Sequence, residues 1–333
     1  MCGKRLDDIA VLRVFCILVV VLFHCYQMMY AAGHFSNSVE MYKELYYVPV
    51  QCGVINVGMP LFVYISGYLF KFLLQQGKYS TWKNLLQKKG IRILLPFFVF
   101  GLFFMVTTNG WHPQTLLTGD YWHLWFLPML FWSFIIGYGL NRAQCDVRIE
   151  LLILVFFFVG RLVSPLLPMW FGLHSISRWF YWFYLGMLSY KYRDFVFDNL
   201  GGAKFAWILL FISIAILCLW PVAYGEIRRY DDIAVTFCVL SISYLMSGEA
   251  WSKYKVITPV VKFSSYSFGI YIWHNWVALM LISKTSQRLF GLPELAANHV
   301  ILFPLCFSLI TLAISWGLSW AMMKTKVGKF LIG

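Results

Sequence analysis

Apolar runs of spanning length recur from residue 9 to residue 323, separated by short polar breaks. An α-helix rises about 1.5 Å per residue, so roughly 20 apolar residues cross a hydrocarbon core of about 30 Å. Windows of this kind fall at 9–29, 53–74, 92–107, 122–140, 149–167, 177–190, 204–222, 233–247, 263–283 and 299–323. The fifth and sixth are interrupted by Arg161, Pro165, Pro168 and Gly172. The pattern predicts an all-α, polytopic integral membrane helical bundle of about ten transmembrane helices, built as a single domain over residues 1–333. The first run lacks a small-residue cleavage site and is followed by further spans, so it reads as a span rather than a cleavable signal peptide. The longest non-spanning stretches are 30–52 and 75–91.

Lys and Arg decide orientation, because they are retained on the cytoplasmic side of short loops. With the N-terminus inside, the inner segments hold 19 of these residues and the outer segments 5, namely Lys43, Arg228, Arg229, Lys284 and Arg288. Arg13, Arg161 and Arg178 fall within or at the edge of spans. Both termini are therefore expected in the cytoplasm, with 30–52 outside and 75–91 inside.

Composition agrees. The chain is 61% hydrophobic and only 12% charged, where a soluble domain carries about 25% charged residues. The mean hydropathy is +0.71. The net charge of +13 is accounted for by the inner-face bias and needs no nucleic acid. Eight cysteines are scattered without a CxxC pair, most of them inside apolar runs, so neither a disulfide framework nor a metal site is indicated.

Several reactive patterns are missing: no Walker loop, no GxGxxG, no HExxH, no GxSxG and no HxxxxD. No span carries a deep carboxylate, which argues against cation coupling. Within the membrane the remaining polar candidates are Arg13, His24, Ser66, Arg92, His123, Arg161 and His274. Arg13 and His24 are eleven residues apart, which at 100° per residue puts both on one face of the first helix, about 16 Å apart along its axis. Two readings stand side by side: Arg13 as a snorkelling anchor with His24 bonding a neighbouring helix, or a cation holding a phosphorylated donor with an imidazole along its path for acid–base work. Gly67 reads best as a small residue that lets helices approach. Ser66 lacks the glycine and turn of a nucleophile elbow. Lys88, Lys89 and Arg92 precede a span, either as ordinary inner-face charge or as a phosphate site. His123 and Trp125 lie where an interfacial aromatic belt is expected, and Tyr271 and His274 end a run of small polar and aromatic residues.

Together, in this order, these segments resemble the bacterial acyltransferase-3 family of membrane O-acyltransferases. Arg13, ten residues and His24 resemble its first-helix hallmark. PLFVYISGYLF is similar to its PxFFxxSGY stretch, and IRILLPF to its arginine-then-proline segment. YWHLWFL and YWFYLGML resemble its HLWFL and F-x-x-G segments, and SYSFGIYIWH its Ser-x-x-Ile-Tyr-x-x-His element. Val14, Ala10 and Asn56 depart from residues frequent in the family, as does Phe126-Leu127-Pro128 after the HLW element.

The resemblance implies a multi-pass protein of the bacterial cytoplasmic membrane with no bound cofactor. Its co-substrate would be a cytosolic acyl-CoA, usually acetyl-CoA, and its acceptor a hydroxyl of a cell-envelope glycan or lipid-linked sugar on the far side. His24 and Arg13 would then be catalytic, with Arg13, Arg92, Lys89 and Ser66 toward the donor. His123, Trp125, Tyr271 and His274 would serve the acceptor or support the site. The acyl group (acetyl or succinyl), the acceptor hydroxyl, a direct or acyl-enzyme route and the oligomeric state stay open. A polysaccharide exporter is the rival reading, against which stands the lack of a convincing internal repeat.

Overall fold

The computed structural model describes residues 7–31, 56–108, 112–163, 167–168, 170–195, 202–224, 231–247, 257–283, 291–299 and 302–333. The stretch 30–52 is therefore almost wholly outside the described residues. So are Lys4, Arg5, Lys43, Pro165, Arg228, Arg229, Lys253, Lys255, Lys284, Arg288, Cys2 and Cys52.

The described residues are helical, with no strand among them. In chain order the helices are α1 (Asp7–Ala31), α2 (Asn56–Gln75), α3 (Trp82–Lys89), α4 (Leu95–Thr107), α5 (Gln114–Thr118), α6 (Phe126–Ala143), α7 (Val147–Val163) and α8 (Leu173–Lys191). There follow α9 (Gly202–Tyr224), α10 (Asp231–Ser247), α11 (Ile257–Ser264), α12 (Ser267–Leu281), α13 (Leu292–Asn298), α14 (Leu302–Met323) and α15 (Lys326–Ile332). Each of the ten apolar windows overlaps a helix. Among the described residues five helical stretches are long and apolar enough to cross a membrane: Asp7–Met28, Val57–Gln75, Trp82–Thr107, Gln114–Ala143 and Leu302–Met323. Large apolar side chains such as Leu152, Phe156, Phe211 and Leu309 are at least 64% exposed. Such faces are a liability in water and the expected covering of a helix in lipid.

Two details differ from the window reading, each for a local reason. The stretch 75–91 contains α3, started by Thr81, whose hydroxyl accepts the Asn84 backbone N–H at 3.2 Å. α3 runs into α4 through a π-helical turn, Gly90–Leu94. Pro96 has no N–H to give the Arg92 carbonyl four residues back, and the wider turn before it absorbs that mismatch. The window 263–283 is two helices, not one. The chain turns at Ser265-Tyr266, where the Ser264 and Ser265 hydroxyls take the carbonyls of Val261 and Lys262.

The chain forms two compact units, Met1–Met59 with Gly201–Gly333, and Pro60–Leu200. In the first, α1 packs against α11, α12 and α14, and α9 against α10. The face of α14 turned inward carries Ser308, Thr311, Ser315 and Ser319, all buried. Ser308, Ser315 and Ser319 each donate to a carbonyl one turn back at 2.7 Å, so no hydroxyl proton of these three is stranded in the apolar interior. In the second unit α8 is central, with Phe180, Trp182 and Phe183 fully enclosed, and it packs on α6 and α7. Glu150, in the first turn of α7, accepts both Lys191 Nζ (2.8 Å) and the Tyr192 hydroxyl (2.7 Å). Burial alone would lower the Lys191 pKa, but its hydrogen bonds to Glu150 and Tyr192 outweigh that and raise it.

Candidate functional site

α1 is helical through both Arg13 and His24, so the eleven-residue spacing does bring them onto one face. Between them Ile17 and Val20 are buried, which makes this the face α1 turns to its neighbours; Arg13 and His24 themselves are half-buried on it. Opposite His24 stands α12. The His24 and His274 rings lie 5.0 Å apart between centroids, tilted by 49°. The Tyr271 ring is 6.0 Å from that of His274, and Phe23 flanks His24 at 4.8 Å. Gln27, one turn along α1, shares a hydrogen bond with His24.

His274 has no solvent exposure, and its Nδ1 faces two carbonyls of its own helix, Tyr271 at 2.6 Å and Ile270 at 3.2 Å. Earlier on the same helix, Gly269 has no side chain and lets α12 approach α14 closely. An added Cβ there would come within 2.6 Å of the Ser319 hydroxyl. Two histidines distant in the chain thus meet in the first unit, with a phenol beside them.

The second unit places the other candidates separately. Ser66 donates to the Phe62 carbonyl at 2.9 Å, a bond within its own helix. Its neighbour Gly67 is pressed against α8: a Cβ on Gly67 would fall on the Phe183 carbonyl, and one on Gly186 would fall on the Tyr64 carbonyl. The SGY and F-x-x-G segments are thus the two sides of one close backbone contact. Lys89 Nζ lies 3.3 Å from the centre of the Phe134 ring, with Tyr79 and Phe70 at 5.3 and 5.7 Å, so its charge is housed by aromatic faces. Arg92, on the π-helical turn, is exposed, as is Lys88.

His123 is 3% exposed, on a 3₁₀ turn, Trp122–Trp125. The turn starts with Trp122 at a φ of 43°, a conformation that is costly for a bulky residue. Trp122 stacks on Tyr121 (5.3 Å) and Phe104 (6.5 Å), which holds it there. Trp125 meets Trp179 at 5.3 Å. Sequence reasoning passed over Trp179 and Trp182, whose rings receive the Arg161 guanidinium at 6.0 and 5.0 Å. The signal for them was an arginine inside an apolar window with no acid near it in sequence.

Chemically, the first unit offers a cation and an imidazole along one face of α1, with a second imidazole meeting the first from α12. Among the described residues no group of three or more His, Cys, Asp or Glu is arranged to hold a metal ion. Residues 6–320, nearly the whole chain, match the family model described as an acyltransferase domain. No curated protein and no solved structure matches.

Proposed function

The chain belongs to the acyltransferase-3 family, and from that premise we propose that it is a membrane O-acetyltransferase acting on a cell-envelope glycan. The donor is cytosolic acetyl-CoA, and the acceptor is a sugar hydroxyl on the extracytoplasmic side of a bacterial cytoplasmic membrane. The observation that carries this reading is the half-buried Arg13…His24 face of α1, with His274 set against His24.

Acyl transfer from a thioester needs two things of the protein. The donor phosphates need a fixed cation, and the attacking hydroxyl, poorly nucleophilic until its proton is taken, needs a base. Arg13 supplies the first. About 16 Å along the same helix, a distance of the order of an extended pantetheine arm, His24 supplies the second. Enclosure by helices removes water that would compete with the sugar hydroxyl for the thioester. Because family membership alone leaves the substrate open, the inner-face excess of Lys and Arg supports the sidedness, and the apolar helices support the membrane setting.

Inverted membrane vesicles given labelled acetyl-CoA and a lipid-linked glycan fraction test this. Wild type should move label into glycan, and His24→Ala should lower the rate by about 10²–10⁴-fold, the range for loss of a general base. Label in glycan at the wild-type rate from His24→Ala vesicles would remove His24 from the chemistry. Transfer from succinyl-CoA but not from acetyl-CoA would correct the donor.

A further inference from the structure

A carbonyl oxygen only accepts hydrogen bonds, so a ring nitrogen held between two of them must be the one that carries the proton. His274 Nδ1 is in that position, 2.6 Å from the Tyr271 carbonyl and 3.2 Å from that of Ile270. The neutral imidazole has a single N–H, so Nε2 keeps its lone pair. The ring is wholly enclosed, where a second proton, and with it a full charge, is expensive. His274 is therefore a base that the fold keeps neutral and in one tautomer. Against it, at 5.0 Å between ring centres, stands His24. The Gln27 amide that shares a hydrogen bond with His24 carries both donor and acceptor, so it serves either tautomer and selects neither.

We propose that His274 is the positioning residue for His24: a fixed-tautomer imidazole whose Nε2 accepts the N–H of the imidazolium that forms on His24 during acyl transfer. The inference rests on the reading of His24 as the base. As the acceptor oxygen attacks the thioester carbonyl, its proton passes to His24. The C–S bond then breaks, and the sulfur leaves as a thiolate that takes the proton back from His24. Ester and free thiol result, both histidines end neutral, and His274 gains and loses nothing. It stands where a carboxylate stands in hydrolytic triads, but without bringing an unpaired negative charge into the membrane interior.

The test uses the full-length protein in membrane vesicles with labelled acetyl-CoA and endogenous glycan, comparing His274→Phe, His274→Gln and the double variant with His24→Ala. His274→Phe keeps the ring volume but offers no acceptor. Its kcat should fall by about 10²-fold, with the KM for acetyl-CoA changed less than about twofold. His274→Gln retains an oxygen acceptor and should lose no more than about tenfold. Adding His274→Phe to His24→Ala should slow the reaction no further, because the two act as a unit.

A loss confined to KM, or an additive double variant, would show a structural role only. Normal kcat in His274→Phe alongside a slow His24→Ala overturns the pairing and leaves the base in place. Normal kcat in His24→Ala overturns the underlying reading itself. Side-chain ¹⁵N NMR of the unmutated, detergent-solubilised protein checks the premise without any variant. The expected His274 signal is that of the Nδ1–H tautomer, and an Nε2–H signal refutes it.

Discussion

Replacing Gly67 with alanine puts a methyl group in place of a hydrogen where another helix's backbone already is. The new Cβ lands on the Phe183 carbonyl oxygen, 2.7 Å from the carbonyl carbon and 3.1 Å from the Phe183 Cα. Non-bonded carbons rest at about 3.5–4.0 Å, and no side chain is there to rotate aside. α2 and α8 must draw apart by roughly 1 Å, with loss of the contacts around them. Overfilling an interior costs about 1–3 kcal/mol, and an obstacle made of backbone belongs at the upper end of that range. Gly186→Ala meets the reciprocal obstacle, 2.9 Å from both the Tyr64 carbonyl carbon and the Tyr68 nitrogen. One separation of the helices relieves both clashes, so the double variant should cost clearly less than the sum. Gly317→Ala on α14 is the control. Nothing lies within 4 Å of its added Cβ, so ordinary helix propensity should make it neutral or stabilising by up to about 1 kcal/mol. Thermal unfolding of the purified protein in detergent, followed by fluorescence-detected size exclusion, ranks the four variants. A Gly67→Ala midpoint equal to that of Gly317→Ala, or a strictly additive double variant, would refute the close-contact account.

Two further outcomes are expected. Glu150→Gln removes the charge that accepts Lys191 and Tyr192 at a site partly open to solvent. Thermal midpoints in low salt should show a loss of about 1 kcal/mol that shrinks in high salt; an unchanged midpoint at both salt levels would remove this ion pair from the forces joining α7 to α8. Arg13→Gln, if Arg13 holds donor phosphates, should raise the KM for acetyl-CoA by about tenfold or more, the worth of one charge-assisted contact, with a smaller change in kcat. A KM within twofold of wild type would return Arg13 to the role of anchor.

Legibility in the sequence followed the range of the force concerned. Lipid demands long apolar runs, so helical segments could be found from one-dimensional pattern alone, although the break between α11 and α12 could not. A periodicity argument likewise placed Arg13 and His24 on one face, because both belong to a single helix. What pattern does not carry is partnership between helices. His24 and His274 are 250 residues apart in the chain, and only the packing of α1 on α12 makes them neighbours. Lys89 read from sequence as ordinary inner-face charge or as part of a phosphate site. Its rings come from α2, α6 and the loop before α3, and no local rule assembles Phe70, Phe134 and Tyr79. Trp179 and Trp182 were hidden for the same reason, being aromatic residues in an aromatic helix. The small-residue reading of Gly67 did come from sequence, but its counterpart at Gly186 required the geometry.

The π-helical turn at Gly90–Leu94 also bears on how such a chain tolerates changes in length. There the Leu95 N–H reaches back five residues to the Gly90 carbonyl, so the segment holds one residue more than an α-helix of the same rise needs. Removing one position would let the turn close into α-helical geometry without disturbing α4. It would also swing α3 and its lysines by about 100° around the helix axis. A single-residue deletion here is thus accommodated by the turn yet redirects Lys83, Lys88 and Lys89 around the axis of α3. Homologous chains that differ by one residue between Lys89 and Pro96 should be compared by the direction in which their basic side chains point, not by their aligned letters.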